Sequence, residues 1–271
     1  MKNVKMALIY DFDKTLSPKD MQEFHLIESL GFKNPGDFWA ECSKNSEKNN
    51  MDGILSYMQE VILNDPTMTK EKLIHEGSYV ELYPGVDTWF KRINEYGKKH
   101  HIDIEHYIIS SGLKEIIEGT SIASEFKKIY ACSYAYDDEG RILWPSRVVN
   151  YTTKTQYLYR IRKYVLDELN DEDLNKSTPD ELKVIPMRRM VYFGDGLTDV
   201  PSMKTVGGEG GHTIAVFGDL EKKKDLAEQL YKDKRAHFAL KADYSEGSDI
   251  ENVVKAIIDA LEAELRLEDF K

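Results

Sequence analysis

Two rhythms of apolar residues alternate along the chain. The first is a short unbroken run that ends in small or acidic residues. VKMALIY runs into Asp11, the apolar part of IEHYIISSG into Ser110, the MVYF of MRRMVYFGDG into Gly194, and GHTIAVFG into Gly218. Runs of this length without polar alternation predict strands buried on both faces. The second rhythm has apolar residues three and four apart. MQEFHLIESLGF places Phe24, Ile27 and Leu30 at that spacing, and a further helix starts near DFW at 37–39. DGILSYMQEVIL follows with Asp52 as its cap, and TKEKLIHEG with Thr69 as its cap. Residues 17–80 therefore read as all-helical.

Beyond them a helix at about 85–99 leads into IEHYIISSG. KKIYACSYAYDDEGRILW alternates and contains DDEG, which predicts two strands about a turn. TTKTQYLYRIRKYVLDEL is amphipathic, and MRRMVYFGDGLTDVPSM reads strand, loop, helix. GHTIAVFG, DLEKKKDLAEQLYKD, AHFALKADY and SDIENVVKAIIDALEAEL then read strand, helix, strand, helix. The charged stretch 167–186 reads as an exposed connection. Strands alternating with helices predict an α/β fold, a doubly wound parallel sheet whose ligand site lies beyond the carboxyl ends of its strands. The sheet and its helices would comprise 1–16 and 81–271, with 17–80 as a helical insert over that edge.

Composition narrows the function. The chain has 271 residues, 41% apolar and 31% charged, enough to bury a core. Its net charge of −11, without a long basic run, argues against nucleic acid and anionic membranes as partners, since both demand a positive face. A small anionic substrate stays open, because one local cation or metal can hold it. Cys42 and Cys132 form neither a metal motif nor a disulfide framework. MALIY is too short for a signal peptide or a membrane span, and no later stretch is long enough. The expectation is a soluble protein of the reducing cytoplasm.

Three predicted strand ends carry chemistry. The first delivers Asp11 and Asp13, the second Ser110 and Ser111, the third GDGLTD with Asp195 and Asp199. In a parallel sheet all three open on one edge. Asp11 and Asp13 would face the same way if the strand continued through them. Carboxylates gathered there repel unless a cation lies among them, and such oxygen ligands suit Mg²⁺. The chemistry this set permits is in-line attack of a carboxylate on a phosphate ester through an aspartyl phosphate, with a second carboxyl moving the proton. Ser110 and Lys154 would hold the remaining phosphate oxygens, Lys154 at a helix start where the dipole is positive. Each piece alone has a plain reading: a polar turn, an ordinary strand-to-helix turn, a solvated lysine, an Asp-Gly turn with a helix cap. Together and in this order they point to an enzyme.

The set resembles the motifs of the haloacid dehalogenase superfamily of phosphohydrolases, in particular its phosphoserine-phosphatase-like branch with a helical cap. DFDKT is similar to the D-x-D-x-T motif, YIISSG to the strand that ends in the phosphate-binding serine, TTKTQYLYRI to the lysine motif and GDGLTD to the acidic motif. The resemblance implies a Rossmann-like core with residues 17–80 as the cap. It implies Asp11 as nucleophile and Mg²⁺ ligand, and Asp13 as general acid and base with its backbone carbonyl on the metal. Thr15 would orient the loop. Ser110 and Lys154, with Ser111 beside them, would bind the phosphoryl group. Asp195 would ligate Mg²⁺, and Asp199 would support it from behind or through Lys154. The substrate implied is a small phosphorylated metabolite. Phosphotransfer or phosphomutase chemistry through the same aspartyl phosphate is the alternative, and a non-catalytic binding protein the third reading. Asp13 disfavours dehalogenation, which needs no proton donor, and the lack of a membrane span excludes an ion-pumping ATPase.

Phosphoserine phosphatases of this type recognise their amino acid with a cap glutamate and a cap arginine. Asp20 stands at the matching acidic position and would face an amine. The first arginine in the chain, however, is Arg92, beyond the insert. A guanidinium for a substrate carboxylate is therefore not available from the cap, and lysine is a poor replacement for its bidentate geometry. Phosphoserine is not the substrate expected. Elsewhere, GGEGGHT lacks the Gly-Lys-Ser/Thr ending of a nucleotide loop and reads as a helix-to-strand connection. His25, His75, Phe38 and Trp39 read either as packing in the insert or as lining of the site.

Overall fold

A computed structural model describes residues 3–179, 182–268 and 270. Its centre is the strand β1 (Val4–Tyr10), whose Ala7, Leu8, Ile9 and Tyr10 have no solvent exposure. An apolar run can be buried so completely only with strands on both sides and helices over both faces. The neighbours are β2 (Ile102–Leu113) and β5 (Met190–Gly194), both parallel, with Tyr10 opposite Ile108 on one side and Phe193 on the other. The seven-stranded sheet is completed by β3 (Phe126–Tyr136), β4 (Ile142–Arg147), β6 (His212–Phe217) and β7 (Phe238–Lys241), in the order β4-β3-β2-β1-β5-β6-β7. All pairs are parallel except the antiparallel edge pair β3–β4. The chain winds outward from β1 through β2 and β3, then returns to β5 and winds the other way. The crevice between the ends of β1 and β5 is thus the switch point at which such sheets bind ligands.

Between β1 and β2 the chain is helical. A short turn at Met21–Glu23 and α1 (Leu26–Ser29) precede α2 (Pro35–Asn49), α3 (Gly53–Asn64) and α4 (Lys70–Glu76). Asp52 and Thr69 cap α3 and α4 through their side chains. The spacing of Phe24, Ile27 and Leu30 yields only these short pieces, because His25 leaves helical geometry with ψ at −33 and φ at −150. The remaining helices are α5 (Val86–Lys99), α6 (Lys114–Glu118), α7 (Lys154–Lys163), α8 (Asp171–Asn175), α9 (Val200–Gly208), α10 (Glu221–Lys232) and α11 (Asp249–Glu268). α7 ends sooner than its amphipathic pattern suggests, where Tyr164 turns left-handed at φ 61. No helix among the described residues is long and apolar enough to cross a membrane.

The stretch 167–186 is less irregular than its charge implies. Arg160 donates to the carbonyls of Asp167, Glu168 and Asn170, and Lys163 to those of Leu174 and Lys176. Of this stretch, 180 and 181 lie outside the described residues.

Two contacts fix the helical segment on the sheet. The β3–β4 hairpin reaches over it, with Lys70 N–H donating to Gly140 O at 2.9 Å and Ile142 N–H to Met68 O at 3.0 Å. The second is a backbone approach without room for side chains: a Cβ on Gly119 would lie 1.7 Å from Ile74 O, and one on Gly77 2.2 Å from Ile116 O. Phe38 is fully buried and Trp39 donates to Glu23 at 2.8 Å, so both pack the segment itself. His25 stacks on Tyr79 and pairs with Glu76 at 2.9 Å, and His75 meets the edge of the same ring.

Candidate active site

β1 ends at Tyr10, one residue before the first aspartate. The ladder nonetheless continues far enough for Asp11 N–H to donate to Phe193 O at 2.9 Å, which pins Asp11 beside the end of β5. The chain then turns, and Asp13 is placed by that turn rather than by strand alternation. Asp13 Oδ1 accepts from Met21 N–H at 2.7 Å. Gly112, two residues after Ser110, lies against the same carboxyl: a Cβ there would stand 2.9 Å from Asp13 Oδ2 and 2.1 Å from the Met21 methyl. At this close approach of β2 to the first loop, any side chain in place of Gly112 would push the Met21 and Asp13 side chains aside. Ser110 Oγ accepts from Gly112 N–H at 3.0 Å, and Tyr57 of α3 donates to Ser111 O at 2.8 Å. Within the described residues the buried hydroxyl oxygens of Ser111 and Thr15 have no hydrogen-bond partner.

Lys154 joins the two halves of the site. It is the first residue of α7, it is fully buried, and its ammonium donates to Asp11 Oδ2 and to Asp199 Oδ1 at 2.7 Å each. Burial opposes its charge, but Asp11 and Asp199 outweigh that and hold the ammonium protonated well above the usual lysine range. Asp199 accepts from three donors: Tyr192 O–H at 2.8 Å joins Lys154 on Oδ1, and Gly196 N–H reaches Oδ2 at 3.3 Å. Asp195 is buried too, and Lys223 of α10 donates to its Oδ2 at 2.6 Å.

Four carboxylates share this edge, and their protonation reflects it. Burial, with Asp199 and Asp195 nearby, raises Asp11 to about 7 against the pull of Lys154. Burial first, then Asp20 and Asp11, push Asp13 well above the ordinary carboxylate range. Asp195 is raised by burial and by Asp199. Asp11, Asp195 and Asp199 each offer an oxygen within 4.8 Å of the others. Hard oxygen donors with excess negative charge fit a small divalent cation such as Mg²⁺.

Asp11, Lys154, Asp195 and Asp199 thus gather at one edge, with Asp13 held beside them in the first loop. Asp20 is paired with the ammonium of Lys14 through Oδ2. Sequence reasoning passed over Lys14, Tyr192, Tyr57 and Lys223. Lys223 lies in the run Lys222–Lys224, and nothing in that run marks which lysine turns to Asp195. Lys14 lies inside the DFDKT motif but adopts φ 57, the left-handed region that favours glycine.

Comparison with solved structures places this arrangement in a known fold. A substrate-bound phosphoserine phosphatase superposes with a TM-score of 0.59 at 14% identity, over 94% of this chain and 99% of that one. A probable phosphoserine phosphatase from Vibrio cholerae gives 0.61 at 14% identity, over 97% and 67%. A HAD family hydrolase from Salmonella enterica serovar Typhi gives 0.58 at 15%, over 89% and 68%. The fold is that of the haloacid dehalogenase hydrolases. No family model matches the sequence. An uncharacterized protein of Borreliella burgdorferi is 26% identical over 286 aligned positions, covering 91% of this chain and 94% of its own length.

Proposed function

We propose that the protein is a Mg²⁺-dependent phosphatase that hydrolyses a small phosphomonoester through an aspartyl phosphate on Asp11. One observation carries the reading: a fully buried Lys154 bridges Asp11 and Asp199 at 2.7 Å each, beside Asp195 and at the fold's ligand edge. A buried ammonium shared by two carboxylates is expensive to maintain for stability alone. In a phosphatase it orients the nucleophile and meets a phosphate oxygen.

Asp11 and Asp195 would hold the metal, together with the Asp13 carbonyl. Asp199, whose oxygens are occupied by Lys154, Tyr192 and Gly196, supports the arrangement from behind. The metal supplies charge neutralisation of the phosphoryl oxygens. The protein does the rest. An Asp11 carboxylate oxygen attacks phosphorus in line, and the ester P–O bond breaks. Asp13, whose pKa burial raises well above the ordinary carboxylate range, gives its proton to the leaving alkoxide. Water then attacks the phosphorus of the aspartyl phosphate, Asp13 takes the proton back, and the bond to Asp11 breaks. Ser110, Ser111 and Lys154 bind the transferring group, and Thr15 shapes the loop. Residues 17–80 act as a cap that covers a small substrate and excludes water.

The test is release of phosphate from p-nitrophenyl phosphate by the purified protein. Hydrolysis is expected with Mg²⁺ and not with a chelator, and Asp11→Asn should reduce kcat by about 10⁴-fold or more. Equal rates for wild type and Asp11→Asn would refute the proposal.

A further inference from the structure

We infer that the cavity beside Asp195 binds a second anionic group of the substrate, a carboxylate or further phosphate, between the ammonium groups of Lys14 and Lys223. The inference rests on the phosphatase reading and names the substrate class for it: phosphate esters that carry another acidic group. The cavity has a volume of about 200 Å³ and shares Asp195 with the catalytic edge. With about 30 Å³ for each water-sized group, it has room for a carboxylate or phosphate. Tyr83, Pro18, Phe217 and Leu220 also line it, and apolar walls strengthen charge interactions inside.

The two lysines are not ordinary surface lysines. Their side chains are only 33% and 31% exposed, and both face one cavity of a protein whose net charge is −11. Lys14 is paired with Asp20 and Lys223 with Asp195. An ammonium has three donors, so each can serve one more oxygen anion while keeping its partner. The other acid on the wall, Asp219, pairs outward with Lys241 at 2.8 Å and is 87% exposed. Lys14 further adopts a left-handed backbone in which glycine would fit without strain, and such outliers gather at ligand sites. The same ligand preference explains how a protein without a cap arginine can still receive an acidic substrate.

The experiment compares two non-hydrolysable inhibitors of p-nitrophenyl phosphate hydrolysis, ethylphosphonate and 3-phosphonopropionate, which differ by one carboxylate. Wild type should bind the carboxylated compound about tenfold or more tightly, the worth of one charge-assisted hydrogen bond. In a Lys14→Gly, Lys223→Gln double variant the two should bind within about twofold of each other. Lys14→Gly suits the local backbone, and a single cooperative thermal transition verifies folding. Ethylphosphonate mixed with free acetate should gain nothing over ethylphosphonate alone, because the second anion belongs to the substrate. Equal binding by wild type, discrimination that survives in the double variant, or a gain from free acetate each overturn the inference. If p-nitrophenyl phosphate is not hydrolysed at all, the phosphatase reading fails separately. The two phosphonates, compared by thermal shift of the Mg²⁺-loaded protein, then still test the cavity by the same criteria.

Discussion

Lys14 shows what one residue can reveal that its neighbours in sequence do not. The motif around it was legible because its chemistry is compact: Asp11 and Asp13 lie two positions apart after an apolar run, and Asp195 and Asp199 flank a turn after another. Lys154 became legible through its place at a helix start. Lys14 and Lys223 were not, because their significance depends on a backbone angle and on a helix-to-sheet contact that no local pattern encodes. The left-handed angle makes its own prediction. Lys14→Gly and Lys14→Ala both lose the pairing with Asp20, but only alanine retains the steric conflict of a Cβ at φ 57. The glycine variant should therefore be more stable than the alanine variant by about 1 kcal/mol in denaturant unfolding. Equal stability, or a more stable alanine variant, would show that the turn relaxes out of this region.

At the scale of elements, β1, β5 and β6 follow their apolar runs closely, whereas β2 runs on to Leu113, past the serines expected at its end. The segment 21–30 departs from its pattern, because tertiary contacts of Met21 with Asp13 and of His25 with Glu76 override its helical spacing. β2 also carries a buried histidine that its apolar run concealed. His106 Nδ1 accepts from the Tyr10 hydroxyl at 3.1 Å, and Nε2 donates to Asn94 Oδ1 at 3.0 Å; Trp89 donates to the same hydroxyl at 2.8 Å. Burial lowers its pKa from 6.5 to about 3, so the folded state excludes the charged form. Between those values the unfolded chain binds more protons than the native one, and stability falls as pH falls from about 6.5 toward about 3. His106→Phe removes this linkage. Although it lowers stability at neutral pH by leaving Tyr10 and Asn94 unpaired, its stability should depend less steeply on pH across that window. Parallel pH profiles for wild type and variant in urea would contradict the assignment.

For the whole molecule, the winding order of the sheet does the decisive work. It brings the ends of β1, β2 and β5 and the start of α7 to one edge, so that groups separated by more than a hundred residues in sequence meet within hydrogen-bond distance. This convergence was expected from the alternation of strands and helices. What the alternation did not convey is how the helical segment is held: by backbone hydrogen bonds to the β3–β4 hairpin and by the Gly77–Gly119 approach, both contacts between distant parts of the chain. Nor did it convey the lysine-lined cavity, which exists only once α10 lies beside the first loop. The central claim is that this edge transfers a phosphoryl group onto Asp11. The most direct test is to quench the protein in acid during turnover with Mg²⁺ and p-nitrophenyl phosphate, reduce with borohydride, and map the peptides. The account predicts homoserine at position 11, the reduction product of an aspartyl phosphate, and none when substrate is omitted. Sustained turnover without homoserine at position 11, or with it at another aspartate, would contradict it.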